Sequence, residues 1–447
     1  MSRKRIKVIT LGCSKNEVDT QHMLAALPPE RFEITEDWPA DCLLVNTCGF
    51  ILDAKEESVN AILDAVSHKS AGDVGKVAVF GCLSQRYPEE LKAEIPEVDA
   101  WFGARGLDEI LRWLGAPAPG RYTSRTLPGK GYAFLKISEG CDRRCSYCAI
   151  PHIRGAHRSV PIPELLEEAG GLVAAGVSEL ILIAQDTSCY GLDIYGRRCL
   201  AELMSRLSEL DGVRRLRLHY AYPEGLPDDV LDLMASNPKV CKYLDVPLQH
   251  ISDKVLSAMH RNSSSAQIRT FINKVRSKVP GVVLRTTMMV GHPGEGEEEF
   301  RELLDFVRET RFDRLGAFAY CEEEGTWGAA HLKDEVPEDE KRRRYDELMT
   351  LQSSISLELN RSRIGSEVEV MVDGVMDGKL VCRSFAESPD VDGEIIVSAG
   401  RFVAPLGMTD DAPLLPTMAS AGDLIGRYLN VRITDADEYD LTAEIVE

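Results

Sequence analysis

The chain has 447 residues, enough for two to four domains with sizeable cores, and its formal net charge at pH 7 is −20. That acidity argues against a general role in binding nucleic acid. Because no run of eighteen apolar residues occurs and the amino terminus leads directly into a strand, we expect no membrane span and no signal peptide. The twelve cysteines favour reduced thiols and metal binding in the cytoplasm over a disulfide framework.

Strands and helices alternate through the first 118 residues. The strands are predicted at 6–11, 42–45 and 76–80, and the helices at about 17–27, 53–67 and 89–95. Such β-branched strands, each followed by a helix, predict a small doubly wound α/β domain with a parallel sheet. A segment rich in proline and glycine at 115–120 is expected to link this domain to the next one.

Three cysteines of this domain occupy the same topological position. Cys13, Cys48 and Cys82, here called the amino-terminal cysteines, each follow a predicted strand and stand beside a glycine. Because the carboxyl ends of parallel strands meet at one edge of the sheet, we expect their thiols to converge. A single such cysteine is equally well a small buried hydrophobic residue. Three cysteines at this position predict an iron–sulfur cluster with one iron left free. Cys42 lies inside a strand and is predicted to belong to the hydrophobic core.

The alternation restarts near residue 131 and gives six further strand–helix units. The strands are predicted at 133–137, 179–184, 215–220, 243–248, 282–290 and 315–320. The helices between them are predicted at 163–175, 200–209, 227–236, 252–259, 266–279 and 296–309. Six successive units predict a partial (βα)6 barrel over 127–363, with its functional face at the carboxyl ends of the strands.

A CxxxCxxC motif follows the first strand of this barrel. Its members are Cys141, Cys145 and Cys148, here called the barrel cysteines. A structural zinc site would need a fourth ligand, and no second pair of cysteines lies nearby. Three thiolates suit a cubane iron–sulfur cluster whose fourth iron accepts an external ligand. This spacing is the signature of radical S-adenosylmethionine (SAM) enzymes, so we predict that SAM binds at the open iron.

Residues at the ends of later barrel strands are candidates for contacts with SAM. They are Gln185, Asp186, Gln249 and Gly291. Asp186 is predicted to accept a hydrogen bond from a ribose hydroxyl or from the SAM amine. For each of the four, turn formation or helix capping is an equally good explanation.

Two groups of basic residues invite different interpretations. Arg154 and Arg158 follow the loop of the barrel cysteines and are predicted to face an anionic substrate. The basic run at 341–344 lies in a polar helix predicted at 338–360, and we expect it to form a solvated face instead of a nucleic-acid site.

Short alternating strands separated by turns follow residue 366. They are predicted at 367–372, 379–385, 394–397, 428–433 and 441–446, a pattern typical of a small β-barrel of the oligonucleotide-binding sort. Residues 366–447 carry 17 acidic and 5 basic residues, a formal net charge of −12. We therefore expect this barrel to repel phosphate and to prefer a basic protein partner.

The segments around the six cysteines are more distinctive than their spacing. They read Leu-Gly-Cys-Ser-Lys-Asn, Asn-Thr-Cys-Gly-Phe-Ile, Phe-Gly-Cys-Leu-Ser-Gln-Arg-Tyr and Ser-Glu-Gly-Cys-Asp-Arg-Arg-Cys-Ser-Tyr-Cys-Ala-Ile-Pro. With these segments the chain resembles the radical SAM methylthiotransferases over almost its whole length. It is most similar to the RimO branch, which modifies ribosomal protein uS12. The likeness to that branch lies in residues 149–151, 183–187 and 243–250 and in the acidic terminal barrel, which resembles a TRAM domain. Val160 and Trp327-Gly328 depart from the usual family pattern.

The resemblance implies an enzyme with two 4Fe–4S clusters. The cluster on the barrel cysteines would reduce SAM to a 5′-deoxyadenosyl radical, which takes a hydrogen atom from the β-carbon of an aspartate in uS12. The cluster on the amino-terminal cysteines would carry an added sulfur, methylated by another SAM, that the carbon radical collects. A radical generator fits this reaction because an unactivated C–H bond offers no proton for acid–base catalysis.

The resemblance also implies partners. They are uS12 or the small ribosomal subunit, sulfide or a related sulfur source, and an external electron donor such as flavodoxin, with the protein a cytoplasmic monomer. Two alternatives stay open. One is the same chemistry on a tRNA adenosine, although the lysines and arginines that RNA binding requires are scarce in the terminal barrel. The other is a non-catalytic iron–sulfur electron carrier or scaffold, which would form no 5′-deoxyadenosine from SAM.

Overall fold

The computed structural model describes residues 3–127, 129–398 and 423–446. These residues form a five-stranded parallel sheet, a six-stranded parallel sheet and a closed five-stranded barrel, so the predicted fold class is confirmed. The predicted domain ranges, 1–118, 127–363 and 366–447, stay predictions, and residues 1–2, 128, 399–422 and 447 within them lie outside the described residues. No helix in the described ranges has both the length and the apolar character needed to cross a membrane.

The first sheet has the strand order β2-β1-β3-β4-β5 and is parallel throughout. Its strands are β1 Lys4–Thr10, β2 Phe32–Ile34, β3 Ala40–Thr47, β4 Val74–Gly81 and β5 Ala100–Trp101. Its helices are α1 Ser14–Ala25, α2 Leu52–Ala71, α3 Cys82–Arg86, α4 Pro88–Glu94 and α5 Leu107–Leu114. The central strand β3 is buried along almost its whole length because apolar clusters cover both faces of the sheet. The edge strands β2 and β5, absent from the prediction, are too short to show a periodic pattern.

The second sheet is an open, parallel partial barrel with the order β13-β12-β11-β10-β9-β6. Its strands are β6 Tyr132–Lys136, β9 Glu179–Ile183, β10 Arg215–Leu218, β11 Val240–Asp245, β12 Val283–Val290 and β13 Arg314–Ala319, and a separate pair is formed by β7 Ser138–Glu139 and β8 Arg158–Ser159. The helices are α6 Ile150–Arg154, α7 Ile162–Ala174, α8 Leu192–Tyr195, α9 Leu200–Ser208, α10 Asp228–Ser236, α11 Asp253–Ala258, α12 Ser265–Lys278, α13 Glu297–Thr310, α14 Trp327–His331 and α15 Glu338–Arg361.

Helix α1 of the first domain packs against the inner face of the partial barrel. Alternate side chains of a strand point to opposite faces. In β9, Leu180 and Leu182 therefore join the large apolar core under the outer helices, whereas Ile181 and Ile183 face inward and pack with Val18 of α1. The two domains thus share part of their core, and the residue after which α1 begins is Cys13.

The closed terminal barrel has the order β14-β15-β16-β18-β17. Its strands are β14 Glu367–Met376, β15 Lys379–Arg383, β16 Ile395–Ser398, β17 Tyr428–Ala436 and β18 Leu441–Ile445. Inward-facing aliphatic residues from all five strands fill its interior.

Buried ion pairs attach this terminal barrel to the partial barrel. The carboxylate of Glu179, at the start of β9, lies 2.8 Å from Arg217 Nε and 3.3 Å from Arg383 Nη1, and all three side chains are almost fully buried. Burial by itself would raise the pKa of Glu179, but Arg383 and Arg217 outweigh it and lower that pKa to about 2. Glu179 is therefore ionised, and it pairs with one arginine from each side of the interface.

The basic run at 341–344 is only partly solvated, which corrects the prediction. Lys341 is 1% exposed and pairs with Asp334 at 2.6 Å, and Arg344 is 5% exposed and pairs with Glu295 at 2.7 Å. Along the same helix Arg343 is exposed. Sequence composition alone does not show the buried carboxylates that these cations meet in the folded chain.

We predict that Glu179→Gln destabilises the attachment of the terminal barrel by about 3 kcal/mol, because it leaves two buried arginines without their shared carboxylate. Scanning calorimetry measures the change. The matched control is Glu367→Gln, which removes an exposed pair with Arg432 and should cost no more than about 1 kcal/mol. Equal losses in the two variants would contradict this prediction.

Candidate functional site

The three amino-terminal cysteines converge at the carboxyl ends of β1, β3 and β4. These strands are neighbours in the sheet, and the loops that follow them are in close contact. A Cβ atom added to Gly12 would lie 2.8 Å from Cβ of Cys48, and one added to Gly49 would lie 2.7 Å from Cα of Leu83. Only glycine allows backbones to approach this closely, so the glycines beside the cysteines bring the thiols together.

Asn16 links the three cysteine loops, a role that the sequence motifs do not predict. Its Nδ2 donates to the carbonyl oxygens of Leu11, at 2.8 Å, and Thr47, at 3.1 Å. Its Oδ1 lies 3.8 Å from the thiol of Cys82. Asn16 is completely buried. It belongs to the distinctive segment Leu-Gly-Cys-Ser-Lys-Asn, but residue type alone does not reveal which distant loops an amide will join.

The barrel cysteines lie in one tight loop between β7 and α6. The loop is held by backbone hydrogen bonds from Cys141 N to Gly155 O, at 3.0 Å, and from Ser146 N to Met259 O, at 3.0 Å. Gly140, immediately before it, has a φ of +80° and no room for a Cβ atom beside Ala156 O. A residue with a side chain would therefore shift the first cysteine of the motif.

The thiols in each set interact electrostatically. Burial raises the pKa of Cys82 to about 11, with Arg154 acting in the opposite sense, and the charges of Cys13 and Cys48 raise it further. Burial likewise raises the pKa of Cys148 to about 12, and Cys145 adds to that increase. In each set the thiols are therefore close enough to affect one another's ionisation, and in the amino-terminal set Cys13 alone is exposed.

The donor atoms suit iron–sulfur clusters better than single ions. No three His, Cys, Asp or Glu side chains within residues 3–127, 129–398 and 423–446 are arranged to hold one metal ion. A cubane makes a different demand, because each of its cysteines binds a different iron atom and the sulfurs do not meet at one point. Three soft thiolates in each set are ligands that could hold such a cluster.

One thin apolar layer lies between the two cysteine sets. Cys82 packs with Ala104, Ala149 and Ile153 in a small buried group, and Ala149 is the residue directly after Cys148. The start of α3, which carries Cys82, therefore contacts α6, which leads away from the barrel cysteines. The two candidate metal sites therefore lie near each other across the domain boundary.

Arg154 is buried at that boundary, which corrects the prediction that it faces an anionic substrate. Its side chain is 2% exposed, and its Nη1 lies 2.7 Å from Asp19 of α1 and 3.2 Å from Glu139. Burial alone would raise the pKa of Glu139, but Lys136 and Arg154 outweigh it and lower that pKa to about 2. Arg154 also donates to Asn16. Arg158, in contrast, is exposed in β8.

Two further ion pairs, which no sequence motif predicts, share the carboxylate of Glu323 and join the domains near Cys48. Glu323, which follows β13 and is 4% exposed, lies 2.7 Å from Arg86 Nη1 and 2.9 Å from Lys55 Nζ. Arg86 additionally donates to the carbonyl oxygen of Gly49 at 3.0 Å. Arg86 therefore connects the loop after Cys48 to Glu323 of the partial barrel.

The four candidate SAM contacts have different environments. Gln185 and Gln249 each have a buried Oε1 atom without a hydrogen-bond partner in the described part of the chain, and Gln249 has a φ of +73°. Asp186 accepts from Ser188 N at 2.9 Å and pairs with Arg143 at 2.5 Å. Gly291 has a φ of +74°, and the side chain of Lys341 fills the space where its Cβ would be.

A cleft of about 380 Å³ opens beside the barrel cysteine loop. Cys145, Asp186 and Arg261 are among the residues that line it. Arg261 is 8% exposed and its Nη1 lies 3.8 Å from the sulfur of Cys145. This cleft gives solvent access to the motif loop from the side where Asp186 closes β9.

Models of three protein families match the chain. They describe the Radical SAM superfamily, over residues 135–307, an uncharacterized protein family, UPF0004, over residues 5–103, and the TRAM domain, over residues 364–446. The chain is also 46% identical over 451 residues to the ribosomal protein uS12 methylthiotransferase RimO of Bacteroides thetaiotaomicron, covering 100% of this chain and 99% of the relative. The chain belongs to the RimO methylthiotransferase family. The RimO protein of Flavobacterium johnsoniae is 44% identical over 450 residues, covering 99% and 98% of the two chains.

Solved structures support the fold of this RimO-family chain. TsrM from Kitasatospora setae, a radical S-adenosylmethionine methyltransferase with cobalamin and a 4Fe–4S cluster bound, has a TM-score of 0.56 and 16% identity, covering 71% of this chain and 75% of TsrM. OxsB, a cobalamin-dependent S-adenosylmethionine radical enzyme, has a TM-score of 0.50 and 14% identity, covering 79% and 56%. At such low identity the likeness shows the fold alone. Family membership makes the chain a radical SAM enzyme with SAM and 4Fe–4S clusters as cofactors, as predicted.

We predict that Arg154→Met loosens α1 from the partial barrel, because it leaves the buried carboxylates of Asp19 and Glu139 short of a cation, at a cost of about 3–5 kcal/mol. Hydrogen exchange should become faster in α1 and α6, as measured by mass spectrometry. Arg158→Met is the control, since it removes an exposed arginine four residues away and should leave exchange in α1 unchanged. Unchanged exchange in both variants would show that the ion pair does not hold the domains together.

Proposed function

We propose that this chain adds a methylthio group to the β-carbon of an aspartate of ribosomal protein uS12. The names of its RimO relatives give uS12 as the protein on which those relatives act. The observation that carries the proposal is the close approach of the two three-cysteine sets, in which Cys82 packs against Ala149 and Ile153. Such a transfer needs one site that generates a radical and a second that delivers sulfur to the same carbon. Two sites separated by one layer of side chains meet that requirement.

We assign the barrel cysteines Cys141, Cys145 and Cys148 to the SAM-binding 4Fe–4S cluster, and the amino-terminal cysteines Cys13, Cys48 and Cys82 to the second cluster. When bound, these groups supply reductive cleavage of SAM and a sulfur donor. Gln185 and Gln249 are assigned to SAM because their unpartnered Oε1 atoms lie at strand ends of the barrel. Asp186, beside the Cys145 cleft, and Gly291 complete the proposed SAM contacts.

The chain's own residues hold and shield the two sites. Asn16 fixes the loops of the amino-terminal set, and Ser58 Oγ binds both the amide, at 3.0 Å, and the carbonyl, at 2.8 Å, of Cys48. Ala149 and Ile153 keep water out of the space beside Cys82. Cys13 remains exposed, so the amino-terminal set is open on one side to a substrate. Arg158, exposed in β8, is assigned to that substrate.

A ribosomal protein target is favoured over a tRNA target. Relatives that match almost the whole chain, such as those of Bacteroides thetaiotaomicron and Flavobacterium johnsoniae, are named as uS12 methylthiotransferases. The −12 charge of residues 366–447 also repels a phosphate backbone and attracts a basic protein. On this proposal the partner is the small ribosomal subunit or free uS12, and the protein works in the cytoplasm as a monomer. An external electron donor such as flavodoxin supplies the electrons, and sulfide or a related source supplies the sulfur.

We predict that replacing Cys13, Cys48 and Cys82 together by alanine removes about half of the bound iron, because cubane clusters have similar iron content. Iron is measured by anaerobic colorimetric assay after reconstitution. The matched control replaces three other buried cysteines, Cys42, Cys199 and Cys382, and should retain all the iron. An unchanged iron content in the first variant would mean that the amino-terminal cysteines are structural.

The function itself is tested by mass spectrometry of a strain that lacks this protein. We expect uS12 to lose its methylthio group while the tRNA nucleosides stay unchanged, and purified protein with SAM and reductant should release 5′-deoxyadenosine. Loss of a methylthio group from a tRNA base, with uS12 unaltered, would overturn the assignment of the target. Reduced clusters that yield no 5′-deoxyadenosine would instead indicate an electron carrier.

A further inference from the structure

Lys15 is a buried cation beside the amino-terminal set. It lies in the first turn of α1, two residues after Cys13, and it is only 7% exposed. Its Nζ atom sits 3.1 Å from the centre of the Tyr220 ring, which follows β10 of the partial barrel. The ammonium group therefore projects from the first domain onto the functional face of the second.

Unlike six of the seven other buried cations, Lys15 has no carboxylate partner within the residues that the structure describes. The structure describes eight buried lysines and arginines. Six of them form ion pairs with carboxylates: Arg154, Arg215, Arg217, Lys341, Arg344 and Arg383. A seventh, Arg261, lies beside the sulfur of Cys145. Within the described ranges, Lys15 has only the aromatic face of Tyr220.

Neighbouring carboxylates are already engaged with other cations. Asp19, one turn further along α1, pairs with Arg154 and Lys136. Asp245 pairs with Arg285 at 3.1 Å and accepts from Tyr220 N at 3.2 Å. Neither carboxylate forms an ion pair with Lys15 in the described part of the chain.

Tyr220 holds its ring in a fixed position beneath the ammonium group. Its backbone has a φ of +56°, and its carbonyl oxygen accepts from both the amide and the hydroxyl of Thr187, each at 3.1 Å. An aromatic face attracts a cation but offsets only part of the cost of removing it from water. A bound anion would supply the remainder.

We propose that Lys15 binds the side-chain carboxylate of the target aspartate. This inference rests on the proposed function, because it takes the substrate to be an aspartate of uS12. The reacting β-carbon is bonded directly to that carboxylate, so an ion pair with Lys15 holds it next to Cys13 and the amino-terminal set. It also gives the enzyme a means to select aspartate over its uncharged amide.

The test compares the affinity of the reconstituted protein for uS12 and for uS12 with the target aspartate changed to asparagine. Wild-type protein should bind the aspartate form about tenfold more tightly, as expected for a charge-assisted hydrogen bond. Lys15→Met should bind both forms equally and weakly, and Lys15→Arg should keep part of the preference. Lys92→Met, at an exposed position of α4, is the control and should match wild type. SAM affinity and iron content should be unchanged in all variants.

The possible results separate the two proposals. Wild-type protein that binds uS12 without preferring aspartate would overturn the role of Lys15, whatever the stability of the variants. The same conclusion follows if Lys15→Met keeps the full preference, or if it loses affinity for SAM while its preference for aspartate persists. Wild-type protein that neither binds nor modifies uS12 would refute the proposed function itself.

Discussion

The buried ion pair between Asp19 and Arg154 is the contact on which the arrangement of the molecule depends. Each residue belongs to a different domain, and each lies within a few residues of one cysteine set. A charge buried in the protein interior is costly unless its partner stays in place. The pair therefore tolerates very little relative movement of the domains. It keeps Cys82 against Ala149, a contact that neither domain could provide alone.

Helix α1 is the element through which this constraint acts. One part of its surface belongs to the first domain, where Met23 joins the core. Another part covers the inner face of the partial barrel through Val18. Because α1 begins directly after Cys13, any shift of the helix would move that thiol as well as Lys15. The local geometry of one metal site is thus set by packing against the other domain.

The sequence predicts the elements and the cysteine sets well because both rest on local signals. Strand-end cysteines and the CxxxCxxC spacing are read within a few residues, and parallel topology then brings the amino-terminal cysteines together. The burial of Arg154 depends instead on Asp19, which lies 135 positions earlier in the chain. Asn16 likewise contacts Thr47 and Cys82, which lie 31 and 66 positions away. No local pattern of residue types records such contacts, so they become visible only in the folded chain.

Asn16 and Ser58 have a consequence for how the amino-terminal set tolerates substitution. The hydrogen bonds that hold the loops of Cys13 and Cys48 join these two side chains to backbone groups. The spacing of the thiols is therefore encoded partly outside the cysteines themselves. A chain that keeps all six cysteines but loses either polar side chain would carry the right ligands at the wrong separation.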